Sequence, residues 1–144
     1  MTAAQKEYGG ALYELAAEEK CEDQVLEGLQ LTQRLFRENP DYSKLLLQPS
    51  IRKEDRLALL DQALGGSVQP YVLNFLKILC ERRALSDLDG CVAEFCARLY
   101  EARGILPVTA ISAVPLTEQQ TQALKEKLAQ VTGRSILIEN KVDE

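Results

Sequence analysis

At Gly104 the sequence changes from a helical to a strand-like pattern. Before this glycine, apolar residues recur every three or four positions in six successive segments, as they do along the buried stripe of an α-helix. After it, the run from Ile105 to Val114 is rich in β-branched residues, which is typical of a strand. Glycine readily adopts the left-handed conformation that ends a helix. The sequence therefore predicts a helical domain over residues 1–104 and a smaller, different domain over residues 105–144.

Six helices are expected in the first domain, and most have a recognisable start or stop. Thr2 and Gln5 have the spacing of a capping box for the first helix. The fourth helix is expected over residues 52–64, with Ser50 as its cap and Gly65 as its stop. Because the connections between the helices are short, the pattern predicts a six-helix antiparallel bundle.

Two adjacent glycines, Gly9 and Gly10, interrupt the first helix. Glycine inside a helix costs roughly 1 kcal/mol relative to alanine, so its presence needs a reason. One interpretation is that a neighbouring helix approaches closely at this point. The other is a bend in the helix, and the sequence leaves both open.

The second domain has the order strand, helix, strand. Thr117 and Gln120 form a second capping-box pattern, Gly133 is a helix stop, and the run from Ser135 to Val142 again resembles a strand. Two strands and one helix bury little apolar surface. The expected fold class is therefore mainly α, with a helical bundle followed by a small, incomplete α/β segment that more chain or a partner would complete.

Charge and motif content exclude several classes of function. The net charge is −5, which argues against a protein that binds nucleic-acid phosphates, and the longest apolar run is too short for a membrane span. The N-terminus has no secretory signal pattern, so an intracellular protein is expected. There is no histidine and no phosphate-binding glycine motif, so we expect no catalytic, cofactor-binding or metal-binding residues. The four cysteines are expected to be buried free thiols: Cys21, Cys80, Cys91 and Cys96.

The fifth helix is apolar on more than one side. Its core stripe on a helical wheel contains Val72, Phe75, Leu76, Leu79 and Cys80. Tyr71 and Ile78 lie outside this stripe, beside Asn74. A helix with apolar residues beyond one stripe is either central in its domain or in contact with a partner.

Several segments resemble the delta subunits of bacterial F-type ATP synthases, the family of the oligomycin-sensitivity-conferring protein. The run Ser112-Ala113-Val114-Pro115-Leu116-Thr117 is similar to the family's Ser/Thr-Ala-x-Pro-Leu-Ser/Thr at the same passage from strand to helix. Further similar segments occur in the family's order over residues 8–16, 46–56, 74–85 and 133–143. The chain departs from the family at Gly9, where alanine is usual, at Arg82-Arg83-Ala84, and in ending at Glu144 before the family's last elements.

The resemblance implies a mechanical function without chemistry. Such a subunit belongs to the peripheral stalk, or stator, at the cytoplasmic face of the bacterial plasma membrane. Its helical domain binds the N-terminal helices of alpha subunits of the catalytic head, and its C-terminal part binds the b subunits. The link resists rotor torque, with no cofactor, substrate or nucleic acid and no insertion into the membrane. The alternative is an unrelated helical regulatory module that binds some other amphipathic helix.

The resemblance also points to a groove between the first and fifth helices for the alpha-subunit helix. The helical wheel supplies the candidate residues: Tyr8, Ala11, Tyr71, Asn74 and Ile78. Ala11 is small enough to let another helix come close, and Ile78 lacks an obvious partner within the bundle. The competing interpretation is that all five belong to the ordinary core of the bundle.

Overall fold

A computed structural model describes residues 2–142 of the chain. It is mainly helical, with six helices followed by a strand, a helix and a strand, and a short 3-10 turn over Leu85–Asp87 precedes the sixth helix. No helix in this described range is long and apolar enough to cross a membrane. The elements are α1 (Ala3–Glu18), α2 (Glu22–Glu38), α3 (Pro40–Leu46), α4 (Lys53–Leu64), α5 (Pro70–Glu81), α6 (Leu88–Ala102), β1 (Ile105–Ser112), α7 (Glu118–Thr132) and β2 (Ser135–Val142).

The chain divides into two compact units, one ending at Cys96 and the other beginning at Ala97. This division lies inside α6, whereas the change of sequence pattern lies at Gly104. The domain boundary between residues 104 and 105 therefore stays a prediction. The six-helix region and the strand-helix-strand order agree with the expected fold class.

The predicted helix ends are confirmed at most positions. Both capping boxes form, with the hydroxyl of Thr2 accepting from the Gln5 backbone N–H, and that of Thr117 accepting from Gln120, each over 3.1 Å. Gly104 has a φ of +66°, which is the left-handed conformation expected after α6. Each of these local signals needs only neighbouring residues, which explains why the sequence revealed them.

The expected cap of α4 is wrong. Ser50 is exposed in a turn, and the residue at the N-cap position is Arg52, which makes no side-chain capping hydrogen bond. The turn begins earlier, where the Ile51 N–H donates to the carbonyl of Gln48 over 3.3 Å. Ser50 therefore lies two residues before the cap position, and α4 starts at Lys53.

The core of the first unit combines residues from all six helices. The predicted core stripe of α5 is confirmed, since Val72, Phe75, Leu76, Leu79 and Cys80 are all buried. Side chains with no more than 2 % of their surface exposed fill the centre of this unit, and they include Val25, Leu29, Leu46, Leu60, Leu64, Leu76 and Phe95. The rings of Tyr13 and Phe95 pack edge to face, with 5.6 Å between the ring centroids.

The second unit ends in a two-stranded parallel sheet. Leu106 is paired with Ile136 and Val108 with Ile138, and α7 packs against β2. Within residues 105–142, Ile136 is the single buried residue, and α7 buries none of its side chains. Large apolar side chains remain exposed there, with 66 % of Ile111 and 77 % of Val131 open to solvent. Because so little apolar surface is buried, this segment is a weak core, as the sequence predicts.

Candidate functional site

Three of the predicted partner-binding residues form one row along α5. Tyr71, Asn74 and Ile78 are separated by three and four positions, so they lie on the same side of the helix over two turns. Tyr71 is half-buried, Asn74 is exposed, and 45 % of Ile78 is open to solvent. All three lie outside the buried core, in contrast to the stripe on the opposite side of the same helix.

The other two predicted residues, Tyr8 and Ala11, lie one turn apart on α1. Tyr8 is half-buried and Ala11 is exposed, so neither belongs to the buried core. Helices α1 and α5 contact each other. Within residues 2–142, no hydrogen bond, ion pair or aromatic pair joins the residues Tyr8 and Ala11 on α1 to the row on α5. The groove between them therefore stays a prediction.

Two ion pairs attach α5 to α4 on the side next to the row of Tyr71, Asn74 and Ile78. The ammonium of Lys77 lies 2.7 Å from a carboxylate oxygen of Asp61, and the ammonium of Lys53 lies 3.6 Å from one of Glu81. All four side chains are partly exposed, so each pair contributes at most about 1 kcal/mol. Both pairs join α4 to the C-terminal half of α5, where Lys77 and Glu81 lie one turn apart.

One buried residue, Arg56, is not among the residues predicted from the sequence. Arg56 on α4 has only 6 % of its surface exposed, and its Nε has no hydrogen-bond partner among the described residues. A signal existed, because Arg56 precedes the buried Leu60 by four positions and Leu64 by eight, which places it on the core stripe of α4. A cation on such a stripe is unusual and needs a partner.

The four cysteines are thiols, with no disulfide among them. Cys80 and Cys91 are buried as predicted, but Cys21 and Cys96 are partly exposed, so the expectation of burial is wrong for these two. Burial raises the pKa of Cys91 to about 11 and also raises the pKa of Cys80, although the nearby charge of Arg56 opposes the second shift. Thiols that stay protonated at neutral pH are poor nucleophiles.

Comparison with known proteins decides the family. The model of the family described as "ATP synthase delta (OSCP) subunit" matches residues 4–144. The chain belongs to this ATP synthase delta family. It is thus a peripheral-stalk component of the F-type ATP synthase complex and a non-catalytic structural subunit of it.

Relatives from different bacteria match over most of the chain. The delta subunit of Synechococcus elongatus is 37 % identical over 137 residues, which are 94 % of this chain and 76 % of the relative. That of a Geobacillus species is 34 % identical over 139 residues, or 96 % and 78 % of the two chains. That of Acidiphilium cryptum is 34 % identical over 137 residues, or 94 % and 70 %.

A solved structure has the same fold. One chain of the cryo-EM structure of the Toxoplasma gondii mitochondrial ATP synthase hexamer superposes with a TM-score of 0.76, covering 99 % of this chain and 78 % of that one. The two sequences are only 17 % identical, so this likeness concerns the fold. It agrees with a helical region followed by strand, helix and strand in this delta-family chain.

Proposed function

We propose that this delta-family subunit connects the catalytic head of ATP synthase to the stalk by binding an N-terminal helix of an alpha subunit between α1 and α5. The observation that supports the proposal is the row of Tyr71, Asn74 and Ile78, of which the bundle leaves Tyr71 partly exposed and Asn74 and Ile78 exposed. Ile78 is 45 % exposed on a helix whose other side is fully packed. A partner helix laid along this row would bury its apolar surface.

The spacing of the row suits a helix as the partner. An amphipathic helix presents anchors at every third or fourth residue and binds in a groove between two others. Tyr71 and Ile78 would supply apolar contact at either end of such a groove, and Asn74 between them would offer its amide to a polar group. On α1, the small exposed side chain of Ala11 would let the incoming backbone come close.

The second part of the proposal concerns the stalk. We infer that the segment from β1 to β2 contacts the b subunits, because exposed apolar side chains such as Ile111 and Val131 need a cover. Held at both ends, the subunit would resist the torque that the rotor applies to the head. We place it at the cytoplasmic face of the bacterial plasma membrane, as a peripheral member of the complex.

Rebinding to a depleted complex tests this function. ATP synthase is purified from the source organism and stripped of its delta subunit, and the chain is added back with an affinity tag. We expect the tagged chain to retain alpha subunits and to restore proton-driven ATP synthesis. The control is the same complex with buffer alone. A chain that binds the complex without contacting any alpha subunit in crosslinking would contradict the proposed site.

A further inference from the structure

The guanidinium of Arg56 is nearly buried and lacks a counter-charge. Its Nε is buried without a hydrogen-bond partner, and none of the ion pairs found within residues 2–142 includes it. Removing a cation from water is costly unless a carboxylate or another acceptor replaces the water. We therefore expect Arg56 to weaken the isolated bundle.

The position of Arg56 on α4 adds to this cost. It lies one turn from the start of the helix, where the free N–H groups create a partial positive charge that disfavours cations and attracts anions. The N-cap residue Arg52 supplies no side-chain acceptor for these N–H groups. The start of α4 has no side-chain cap, but it already carries the carboxylates of Glu54 and Asp55 in its first turn, so it is the unpaired Arg56 that favours an incoming negative group.

Among residues 2–142, no acidic side chain forms an ion pair with Arg56, and Glu54, two residues before it, is exposed in the first turn of α4. Glu81 is paired with Lys53 over 3.6 Å, and Asp55 is paired with Arg52 over 3.3 Å. Cys80 is near enough for the charge of Arg56 to lower its pKa, but burial outweighs this effect and keeps the thiol neutral. No acidic side chain of the chain's described part therefore neutralises Arg56.

We propose that Arg56 is an anchoring residue that receives a carboxylate from an acidic side chain of another subunit of the ATP synthase complex. Arginine is favoured at the centre of protein interfaces because its planar head binds a carboxylate through two parallel hydrogen bonds. The partner's carboxylate would have to approach through the 6 % of the Arg56 surface that remains exposed. This contact lies at the start of α4 and is separate from the row of Tyr71, Asn74 and Ile78.

The proposal makes stability and binding change in opposite directions. In the Arg56→Met variant, an apolar chain of similar length replaces the unpaired cation, so the melting temperature of the free subunit should rise by about 3 °C or more. Affinity for the depleted ATP synthase complex should fall at least tenfold, measured by surface plasmon resonance with the full-length chain. The Arg56→Lys variant keeps the charge but loses the two parallel hydrogen bonds, so its affinity for the complex should lie between those of wild type and Arg56→Met.

Three outcomes would overturn the proposal. A lower melting temperature for Arg56→Met, with Arg56→Lys unaffected, would mean that the arginine stabilises the bundle itself. If Arg56→Met binds the complex with unchanged affinity, Arg56 does not bind a carboxylate of another subunit. A rise of the wild-type melting temperature in 10 mM inorganic phosphate, absent in Arg56→Met and accompanied by unchanged binding to the complex, would point to a free anion as the ligand. The groove hypothesis is tested separately. An alpha-subunit peptide should bind wild type and Arg56→Met equally, because Arg56 lies outside the proposed groove.

Discussion

Gly9 on α1 lies directly against the backbone carbonyl of Cys91 on α6. A Cβ atom at position 9 would overlap that carbonyl oxygen and would lie 2.9 Å from the Cβ of Glu94. Backbone atoms cannot turn away as a flexible side chain does. Of the two interpretations of the paired glycines, close approach by a neighbouring helix is therefore confirmed at Gly9.

This contact predicts that Gly9→Ala destabilises the bundle. Overpacking typically costs 1–3 kcal/mol, and the better helix propensity of alanine returns up to about 1 kcal/mol. We expect a net loss of roughly 1–2 kcal/mol in the free energy of unfolding, measured by urea denaturation. Gly28→Ala is the comparison, because its new Cβ would meet the side chains of Val72 at 3.0 Å and Val68 at 3.2 Å, a milder overlap that should cost less stability. A Gly9→Ala variant as stable as wild type would contradict the close contact.

The buried thiol of Cys91 predicts a loss of stability in alkali. Its pKa is raised from 9.0 to about 11, chiefly by burial, so between these values the unfolded chain releases the thiol proton while the folded chain keeps it. The unfolded state is then favoured, and the free energy of unfolding falls as the pH rises from about 9 to about 11. The decrease due to this thiol should be of the order of 2 kcal/mol.

The Cys91→Ala variant isolates this contribution. Other groups titrate in the same range, so the comparison concerns the slope of stability against pH, obtained from urea denaturation at each pH. The variant should begin less stable at pH 7, because a buried side chain is shortened. Its stability should then decline less steeply than that of wild type above pH 9. Parallel slopes for the two proteins would mean that Cys91 does not titrate as its burial implies.

The sequence predicted the features that depend on neighbouring residues. The capping boxes at Thr2 and Thr117, the stop at Gly104 and the buried stripe of α5 all follow from local spacing. The cap of α4 was missed because serine and proline near a helix start also favour a preceding turn, and Ser50 lies in that turn.

Features that arise from tertiary packing were harder to predict. By residue type, Arg56 is expected to be a polar surface residue near the start of a helix. Its spacing of four residues from Leu60 instead places it among the core residues of α4. The row of Tyr71, Asn74 and Ile78 was found because one helix carries two apolar sides. Which helix lies opposite that row depends on how the bundle packs, and no local spacing encodes this.

The proposed domain boundary at Gly104 predicts that residues 1–104 fold alone. These residues contain all six helices and nearly all the buried apolar side chains, whereas residues 105–142 bury only Ile136. We expect a cooperative thermal melt and a helical circular dichroism spectrum for the 1–104 fragment. In the full chain, amide hydrogens of β1 and β2 should exchange well before those of α5. A non-cooperative melt of the fragment, or equal protection of β2 and α5, would contradict the boundary.

The groove hypothesis is tested by comparing two apolar residues of equal exposure. Ile78 is 45 % exposed within the proposed groove, and Leu47 is 46 % exposed outside it, after α3. Because neither side chain is in the core, aspartate at either position should leave the melting temperature nearly unchanged. Any difference in partner binding between the two variants then reports on the location of the groove.

The most direct measurement is titration calorimetry with a peptide that copies the N-terminal helix of the alpha subunit from the same organism. Wild type and Leu47→Asp should bind it with the same affinity. Ile78→Asp and Ala11→Asp, both folded, should bind at least tenfold more weakly, which corresponds to about 1.4 kcal/mol. Unchanged peptide affinity in both folded groove variants would contradict the proposed binding of the alpha-subunit helix between α1 and α5.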